Sequence, residues 1–250
     1  ESRIPKSGFL NVGIPGSCTA LIGAMTLAST EIVQLLLENG ANPFVVDVSG
    51  NNPLMCACTF NRVDNVKSWL KEFPDWDLEA RNTVVGGKAL GLTVYMGANR
   101  LKLTKLLLDR GASCKALTHT GSNILMSVCG NEDADHEVLR LILQHDTDVN
   151  YQRRSRTAKW FAIRFVAKTF VRTRMSSSLL IQRLAADIGD TALHQAARRG
   201  DLQIVELLLS KGADPSLKND LGQDAAAMCA SFPELRGVLE KRERKMKLRG

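Results

Sequence analysis

The sequence repeats itself with a period near 33 residues, which constrains its fold more than any other feature. The clearest repeat runs from Gly189 to Pro215 and reads as a short helix, a glycine turn, a second helix and a Gly-Ala-Asp-Pro ending. The leucines that open successive repeats are spaced by 33, 36, 35 and 68 residues, at Leu21, Leu54, Leu90, Leu125 and Leu193. The last step equals one period plus an insertion of about 35 residues. This spacing predicts five helix pairs and a partial sixth repeat.

Residues that favour helix termini occupy the ends of the predicted helices. Asp201 is placed to cap the N-terminus of the second helix of the fifth repeat, and Gly212 follows a leucine triplet as a left-handed helix stop. The same Gly-Ala ending recurs at residues 40–41 and 111–112. The second repeat lacks it and has Phe-Pro-Asp-Trp-Asp at residues 73–77, so we expect its finger geometry to differ.

This pattern resembles the ankyrin repeat family, whose repeats open with Thr-Pro-Leu-His and end with Gly-Ala-Asp. The resemblance covers roughly residues 17–150 and 189–235. The fifth repeat matches at nearly every signature position: Thr191, Leu193, His194, Ala196, Ala197, Gly200 and Gly212. The resemblance implies an all-α solenoid of helix-turn-helix units with β-hairpin-like fingers.

Each predicted helix pair has one apolar face, which it can bury only by stacking on its neighbours. Ala196 and Ala197 are small enough to let the first helix approach the next repeat closely. In this motif we expect His194 to bond backbone in the turn and fix the position of the next repeat, rather than act as a general base. Residues 222–240 are expected to form a C-terminal cap.

The charge is distributed unevenly along the chain. The net charge is +7, but residues 151–186 hold nine basic residues and no acidic one, and residues 241–250 carry +5, which leaves −7 elsewhere. We therefore divide the chain into four regions: repeats one to four (residues 1–150), a basic amphipathic insertion in a finger (151–188), the fifth repeat with a partial capping repeat (189–240), and a basic tail (241–250).

The sequence carries no recognisable catalytic or metal-binding motif. Gly-Gly-Lys at residues 86–88 lacks the rest of a phosphate-binding loop and is interpreted as a finger turn. The six cysteines have neither zinc-ligand spacing nor the pattern of a small disulfide-bonded domain, which predicts buried thiols in a reducing compartment, the cytoplasm or nucleus. No apolar run is long enough to span a bilayer. We therefore expect a protein without enzymatic activity and without cofactors.

The ankyrin resemblance places partner-binding residues on the fingers and on the concave face formed by the first helices. Carried over by position, the finger residues are Val48, Val84 and His119, and the first-helix residues are Leu27, Phe60, Tyr95, Met96, Arg198 and Arg199. Large apolar side chains at positions that face solvent indicate a contact surface. The alternative is that the degenerate repeats shift register and bury Phe60, Tyr95 and Met96.

The insertion is predicted to contain a basic amphipathic helix. Its basic side chains are Lys159, Arg164, Lys168, Arg172 and Arg174, and its opposite face is apolar. Four interpretations remain open. The apolar face could pack on the solenoid and leave the bases solvated, or the helix could bind an anionic membrane surface, a calmodulin-like partner, or, less well supported, nucleic acid.

We interpret the chain as a non-catalytic protein–protein interaction module or scaffold, expected to be monomeric. The alternative is a targeting or regulatory segment of a larger enzyme or channel, with the insertion binding an anionic membrane or a calmodulin-like protein. Since the sequence begins with Glu1 rather than Met, we expect a fragment or a processed form.

Overall fold

The computed structural model describes residues 19–96, 100–131, 135–154, 162–163, 165–166, 169 and 189–248. The chain divides into two compact units, Glu1–Ser113 and Cys114–Gly250. Every regular element in the described residues is a helix. The predicted all-α fold is confirmed.

The first unit is a stack of three helix pairs. Their helices are α1 (Ala20–Leu27), α2 (Thr30–Glu38), α3 (Pro53–Thr59), α4 (Val63–Glu72), α5 (Ala89–Met96) and α6 (Arg100–Asp109). The first helices pack in the order α1, α3, α5, and the second helices in the order α2, α4, α6. Each pair therefore covers the apolar face of the next.

The second unit repeats this arrangement and ends in an atypical pair. Its helices are α7 (Ile124–Cys129), α8 (His136–Ile142), α9 (Ala192–Arg199), α10 (Leu202–Ser210), α11 (Ala225–Met228) and α12 (Pro233–Lys247). Helix α9 packs between α7 and α11, and α8 packs on α10. The last pair combines a four-residue helix with a fifteen-residue one, as expected of a terminal repeat that faces water.

Polar side chains at the predicted entries start the first helices. Asn52 accepts a hydrogen bond from the Met55 N–H, and Asn123 accepts one from the Met126 N–H, each at 2.9 Å. These contacts satisfy backbone donors that the first turn of a helix leaves without an acceptor. Asp201 caps α10 in the same way, with its Oδ1 3.0 Å from the Ile204 N, which confirms that prediction.

The glycines at the predicted exits adopt the left-handed conformation that stops a helix. Gly40, Gly111 and Gly212 have φ angles of 87°, 88° and 88°. Side chains other than glycine rarely adopt this conformation, so the Gly-Ala ending recurs for a geometric reason.

The small and branched apolar residues of the repeat form the core. The five entry leucines, Leu21, Leu54, Leu90, Leu125 and Leu193, are buried. Ala196 and Ala197 are completely buried as well, which agrees with the close approach predicted for α9. The core is thus made by the positions that define the period.

Candidate partner-binding surface

The fingers are tight turns closed by backbone hydrogen bonds. The N–H of Asp47 donates to the Asn51 carbonyl oxygen at 3.0 Å, and Thr118 and Asn219 each donate in the same way to the residue four positions later. The second finger closes from Asn82 to Gly87 and so contains one residue more. This is the altered geometry expected from the irregular second repeat, and it places Gly86 and Gly87 in the finger turn as predicted.

The fingertips of the first unit expose valines. Val48 and Val84 lie on adjacent fingers and are both exposed. The two fingers are joined because the Ser49 carbonyl oxygen accepts hydrogen bonds from the Thr83 N–H and hydroxyl, each at 2.9 Å. His119 lies on a finger of the second unit and is half-buried.

An apolar row lies at the ends of the first helices in the first unit. We use this name for Leu27, Phe60 and Tyr95, whose exposed fractions are 79%, 57% and 56%. Their helices α1, α3 and α5 pack side by side, and each of the three side chains lies in the last turn of its helix or directly after it. The alternative in which a register shift buries Phe60 and Tyr95 does not hold. The side chain of Met96 lies outside the described residues.

Arg198 and Arg199, the two partner-site candidates on α9, are held by contacts within the second unit. Arg198 donates to the buried Asp190 carboxylate at 2.7 Å and to the Gln195 Oε1 at 3.1 Å. Arg199 donates to the Cys129 carbonyl oxygen at 3.1 Å. Both arginines therefore help to position α9, and their role in partner binding stays a prediction.

His194 performs the structural role predicted for it. Its Nδ1 lies 3.1 Å from the Thr191 N and its Nε2 lies 3.1 Å from the Gln223 carbonyl oxygen, so it joins one repeat to the finger of the next. The backbone N–H can only donate and the carbonyl can only accept, which assigns the proton to Nε2 and leaves Nδ1 as the acceptor. The ring is neutral in this arrangement.

Burial lowers the pKa of His194, although the nearby Asp190 acts in the opposite direction. Because the unfolded value is about 6.5, the unfolded chain takes up the proton first as the pH falls. The stabilising contribution of neutral His194 is therefore complete above about pH 6.5 and is lost as the pH falls towards the lower folded pKa.

We predict that the free energy of unfolding of the native protein falls more steeply below about pH 6.5 than that of His194→Gln. Urea unfolding at a series of pH values measures this difference. His145→Gln is the matched control, because it makes the same substitution at an exposed histidine. Parallel pH profiles for native protein and His194→Gln would contradict the prediction.

The two ends of the insertion are paired by backbone hydrogen bonds. The Arg153 N–H donates to the Asp190 carbonyl oxygen, and the Gly189 N–H donates to the Arg153 carbonyl oxygen, each at 2.9 Å. Gln152 reinforces the pairing, since its Nε2 donates to the Gly189 carbonyl oxygen at 3.1 Å. The chain therefore leaves for the insertion and returns from it at one pair of hydrogen-bonded residues.

The basic residues singled out in the insertion lie outside the described residues: Lys159, Arg164, Lys168, Arg172 and Arg174. Four apolar residues of the segment are described, Ala162, Ile163, Phe165 and Val166, and all four are helical and exposed. The Phe165 carbonyl oxygen accepts a hydrogen bond from the Thr169 hydroxyl at 3.0 Å.

The cysteines are structural in character. Cys56, Cys58, Cys114, Cys129 and Cys229 are buried. Burial raises the pKa of Cys58 and of Cys129 to about 12, so both thiols are protonated at neutral pH and are poor nucleophiles.

Where side chains are described, no cluster of three His, Cys, Asp or Glu residues could hold a metal ion. Within the same residues, no helix has the length and apolar character needed to cross a bilayer.

A family model described as ankyrin repeats (three copies) matches residues 8–80 and 90–219. The chain belongs to the ankyrin repeat family. This confirms the resemblance seen in the sequence, and it makes the chain a member of a family whose domains serve as protein–protein interaction modules.

Several ankyrin-repeat proteins are similar to this chain in sequence. The BRCA1-associated RING domain protein 1 of Caenorhabditis elegans is 30% identical over 124 residues, which is 50% of this chain and 17% of that protein. The B-cell lymphoma 3 protein homolog of Mus musculus is 28% identical over 204 residues, covering 80% of this chain and 37% of that protein. The chain thus spans well under half the length of either relative.

Two solved structures share the fold. The ankyrin repeat domain of Bcl-3 superposes with a TM-score of 0.66 at 26% identity, covering 92% of this chain and 86% of that one. One chain of a solved complex between a predatory endopeptidase from Bdellovibrio bacteriovorus and its immunity protein gives a TM-score of 0.63 at 23% identity, with 90% of this chain and 98% of that one covered.

Proposed function

We propose that the chain is a non-catalytic interaction module that binds a protein partner through the apolar row and the adjacent fingertips of its first unit. The observation that carries the proposal is the exposure of Leu27, Phe60 and Tyr95 on three neighbouring helices. Burying such side chains against a partner contributes roughly 25 cal/mol per Å² of apolar surface removed from water. Aromatic residues are also the ones most often found at the energetic centre of an interface.

The fingertips extend this surface. Val48 and Val84 are exposed, and the hydrogen bonds between Ser49 and Thr83 hold their fingers together. A surface fixed by its own hydrogen bonds loses little conformational freedom when it binds. This favours recognition of a folded partner or a preformed helix by a pre-organised site.

The double variant Phe60→Ala/Tyr95→Ala is expected to reduce partner capture at least tenfold, at about 1 kcal/mol or more for each truncated contact. The bead-bound protein is incubated with extract of its own source cells, and the captured proteins are quantified by mass spectrometry. The matched control is Ile32→Ala/Leu35→Ala, two exposed apolar residues on the second helix α2. Equal capture by the Phe60/Tyr95 variant and the native protein would contradict the proposal.

A second binding element is the basic insertion. The exposure of the apolar side chains Ile163, Phe165 and Val166 supports the interpretation that the insertion contacts an anionic membrane or a calmodulin-like protein. In the same proposal the protein functions in a reducing compartment, the cytoplasm or nucleus, which the burial of its described cysteines supports.

A further inference from the structure

The second repeat builds a cleft where other repeats have a Gly-Ala ending. Helix α4 ends at Glu72, and the N–H of the next residue, Phe73, donates to the Trp69 carbonyl oxygen at 2.8 Å. The chain then turns, and the Trp76 N–H donates to the Phe73 carbonyl oxygen at 3.2 Å. The cleft has a volume of about 540 Å³. We call it the aromatic–acidic cleft and define it by Phe44, Phe73, Trp76, Glu72, Asp75 and Asp77.

The aromatic wall of the cleft joins two successive repeats. Phe44, from the first repeat, stacks on Trp76 with a centroid distance of 5.6 Å and an interplanar angle of 10°. The ring centroid of Phe73 lies 5.5 Å from that of Trp76, with an interplanar angle of 55°. Phe44 nevertheless keeps 75% of its surface exposed, so an aromatic face is presented to solvent. An open aromatic face attracts a cation through its quadrupole.

The rim of the cleft is acidic. Residues 72–79 contain four acidic residues and no basic one, and Glu72, Asp75 and Asp77 line the cleft. Asp77 accepts a hydrogen bond from the Glu79 N–H at 2.8 Å. In the part of the chain that the structure describes, the carboxylates of Glu72 and Asp75 make neither a hydrogen bond nor an ion pair. Their charge is therefore available to a ligand.

Two indole N–H groups at or beside the cleft lack a hydrogen-bond acceptor in the described part of the chain. The indole N–H groups of Trp69 and Trp76 are buried and have no acceptor among the described residues. Trp69 lines a neighbouring cavity of about 380 Å³ that shares Glu72 and Phe73 with the cleft. A buried donor without an acceptor is costly, and a carbonyl oxygen of a bound peptide would relieve that cost.

We propose that the aromatic–acidic cleft binds an arginine side chain in a basic peptide segment of a partner protein. A guanidinium is planar, stacks on aromatic faces and forms paired hydrogen bonds with carboxylates, so it matches both walls of the cleft at once. A lysine matches the charge but not the planar geometry, and an acidic peptide is repelled. The cleft uses none of the residues of the apolar row, so this site is independent of the proposed concave one.

The test is calorimetric titration of the whole 250-residue protein with a peptide of three arginines separated by glycines. We expect saturable one-to-one binding, weaker binding of the lysine version, and no binding of the glutamine version. Asp75→Asn/Asp77→Asn should weaken binding of the arginine peptide about tenfold, and Phe44→Ala about threefold, as expected for removal of two ion pairs or one exposed cation–aromatic contact. These substitutions alter exposed or rim side chains and should leave the fold intact.

The matched control is Asp109→Asn/Glu206→Gln, which removes the same charge from two exposed sites elsewhere. It should bind the peptide like the native protein, and the Trp76 indole signal in the nitrogen–proton NMR spectrum should shift only when the cleft is intact. Equal losses in the two charge variants, or no binding of the arginine peptide to the native protein, would overturn the proposal. So would a loss confined to Phe60→Ala/Tyr95→Ala, which would assign the peptide to the apolar row.

Discussion

Replacing Trp69 by alanine is expected to lower the free energy of unfolding by about 3–5 kcal/mol. The side chain is 1% exposed and lies on α4 at the centre of an aromatic cluster. Its ring centroid is 4.7 Å from that of Phe73 and 5.0 Å from that of Trp76. Alanine would leave a void that the surrounding rings can fill only in part. Urea unfolding followed by circular dichroism measures the change without relying on tryptophan fluorescence.

Trp69→Phe separates the packing of the ring from its polar group. Phenylalanine keeps much of the aromatic volume and removes the indole N–H that has no acceptor among the described residues. Eliminating that buried donor offsets part of the lost packing, so we expect a cost of less than about 1.5 kcal/mol. A Trp69→Phe variant as unstable as Trp69→Ala would contradict this account of the cluster.

Replacing Asp190 by alanine is expected to cost a similar amount, about 3–5 kcal/mol, for an electrostatic reason. The Asp190 side chain is completely buried, with an exposed fraction of 0%. Its Oδ2 accepts hydrogen bonds from Arg198 at 2.7 Å and from Gln195 at 3.1 Å, and its Oδ1 accepts one from Asn219 at 3.0 Å. Alanine would remove the acceptor from all three donors and leave the Arg198 charge half-buried without its counter-ion.

Arg198→Leu provides the second half of this test. If the cost of Asp190→Ala comes from the stranded charge, Asp190→Ala/Arg198→Leu should be more stable than the sum of the two single changes predicts, by about 1 kcal/mol or more. Urea unfolding of the four proteins in the cycle gives this coupling energy. Additive effects would show that the two side chains contribute independently and that the ion pair does not matter.

The helical repeat could be predicted from the sequence because its signals are local. Asp201 lies three residues before the N–H that it caps, and Gly212 takes a left-handed conformation that depends on its own lack of a side chain. The role of His194 was also predicted, although only its contact with Thr191 is local. The contact with Gln223, 29 residues away, was implied by the ankyrin resemblance. Contacts of this kind depend on a few consecutive residues, which a periodic sequence displays directly.

Apart from the role of His194, which the ankyrin resemblance implied, the side-chain contacts between repeats could not be predicted from the sequence. No sequence pattern predicted a role for Asp190, although it accepts hydrogen bonds from Arg198 and from Asn219, which lies 29 residues away. Arg198 and Arg199 were correctly placed on the first helix, but their long side chains reach partners on adjacent elements. A periodic pattern does not predict which group the end of such a side chain contacts.

The aromatic–acidic cleft shows the same limit in an irregular segment. The Phe-Pro-Asp-Trp-Asp run at residues 73–77 was visible as a departure from the repeat. Its stacking partner Phe44 belongs to the loop of the preceding repeat, 32 residues before Trp76. The signal that could have found the site is the coincidence of aromatic and acidic residues at the same point of two successive exits.

The paired ends of the insertion have a consequence for how this protein can vary. Because the backbone of Arg153 is hydrogen-bonded to Asp190 and Gly189, the chain leaves the finger for the insertion and returns to it at the same point. The sequence inserted at this finger can therefore be exchanged for another while the register of the neighbouring repeats is preserved.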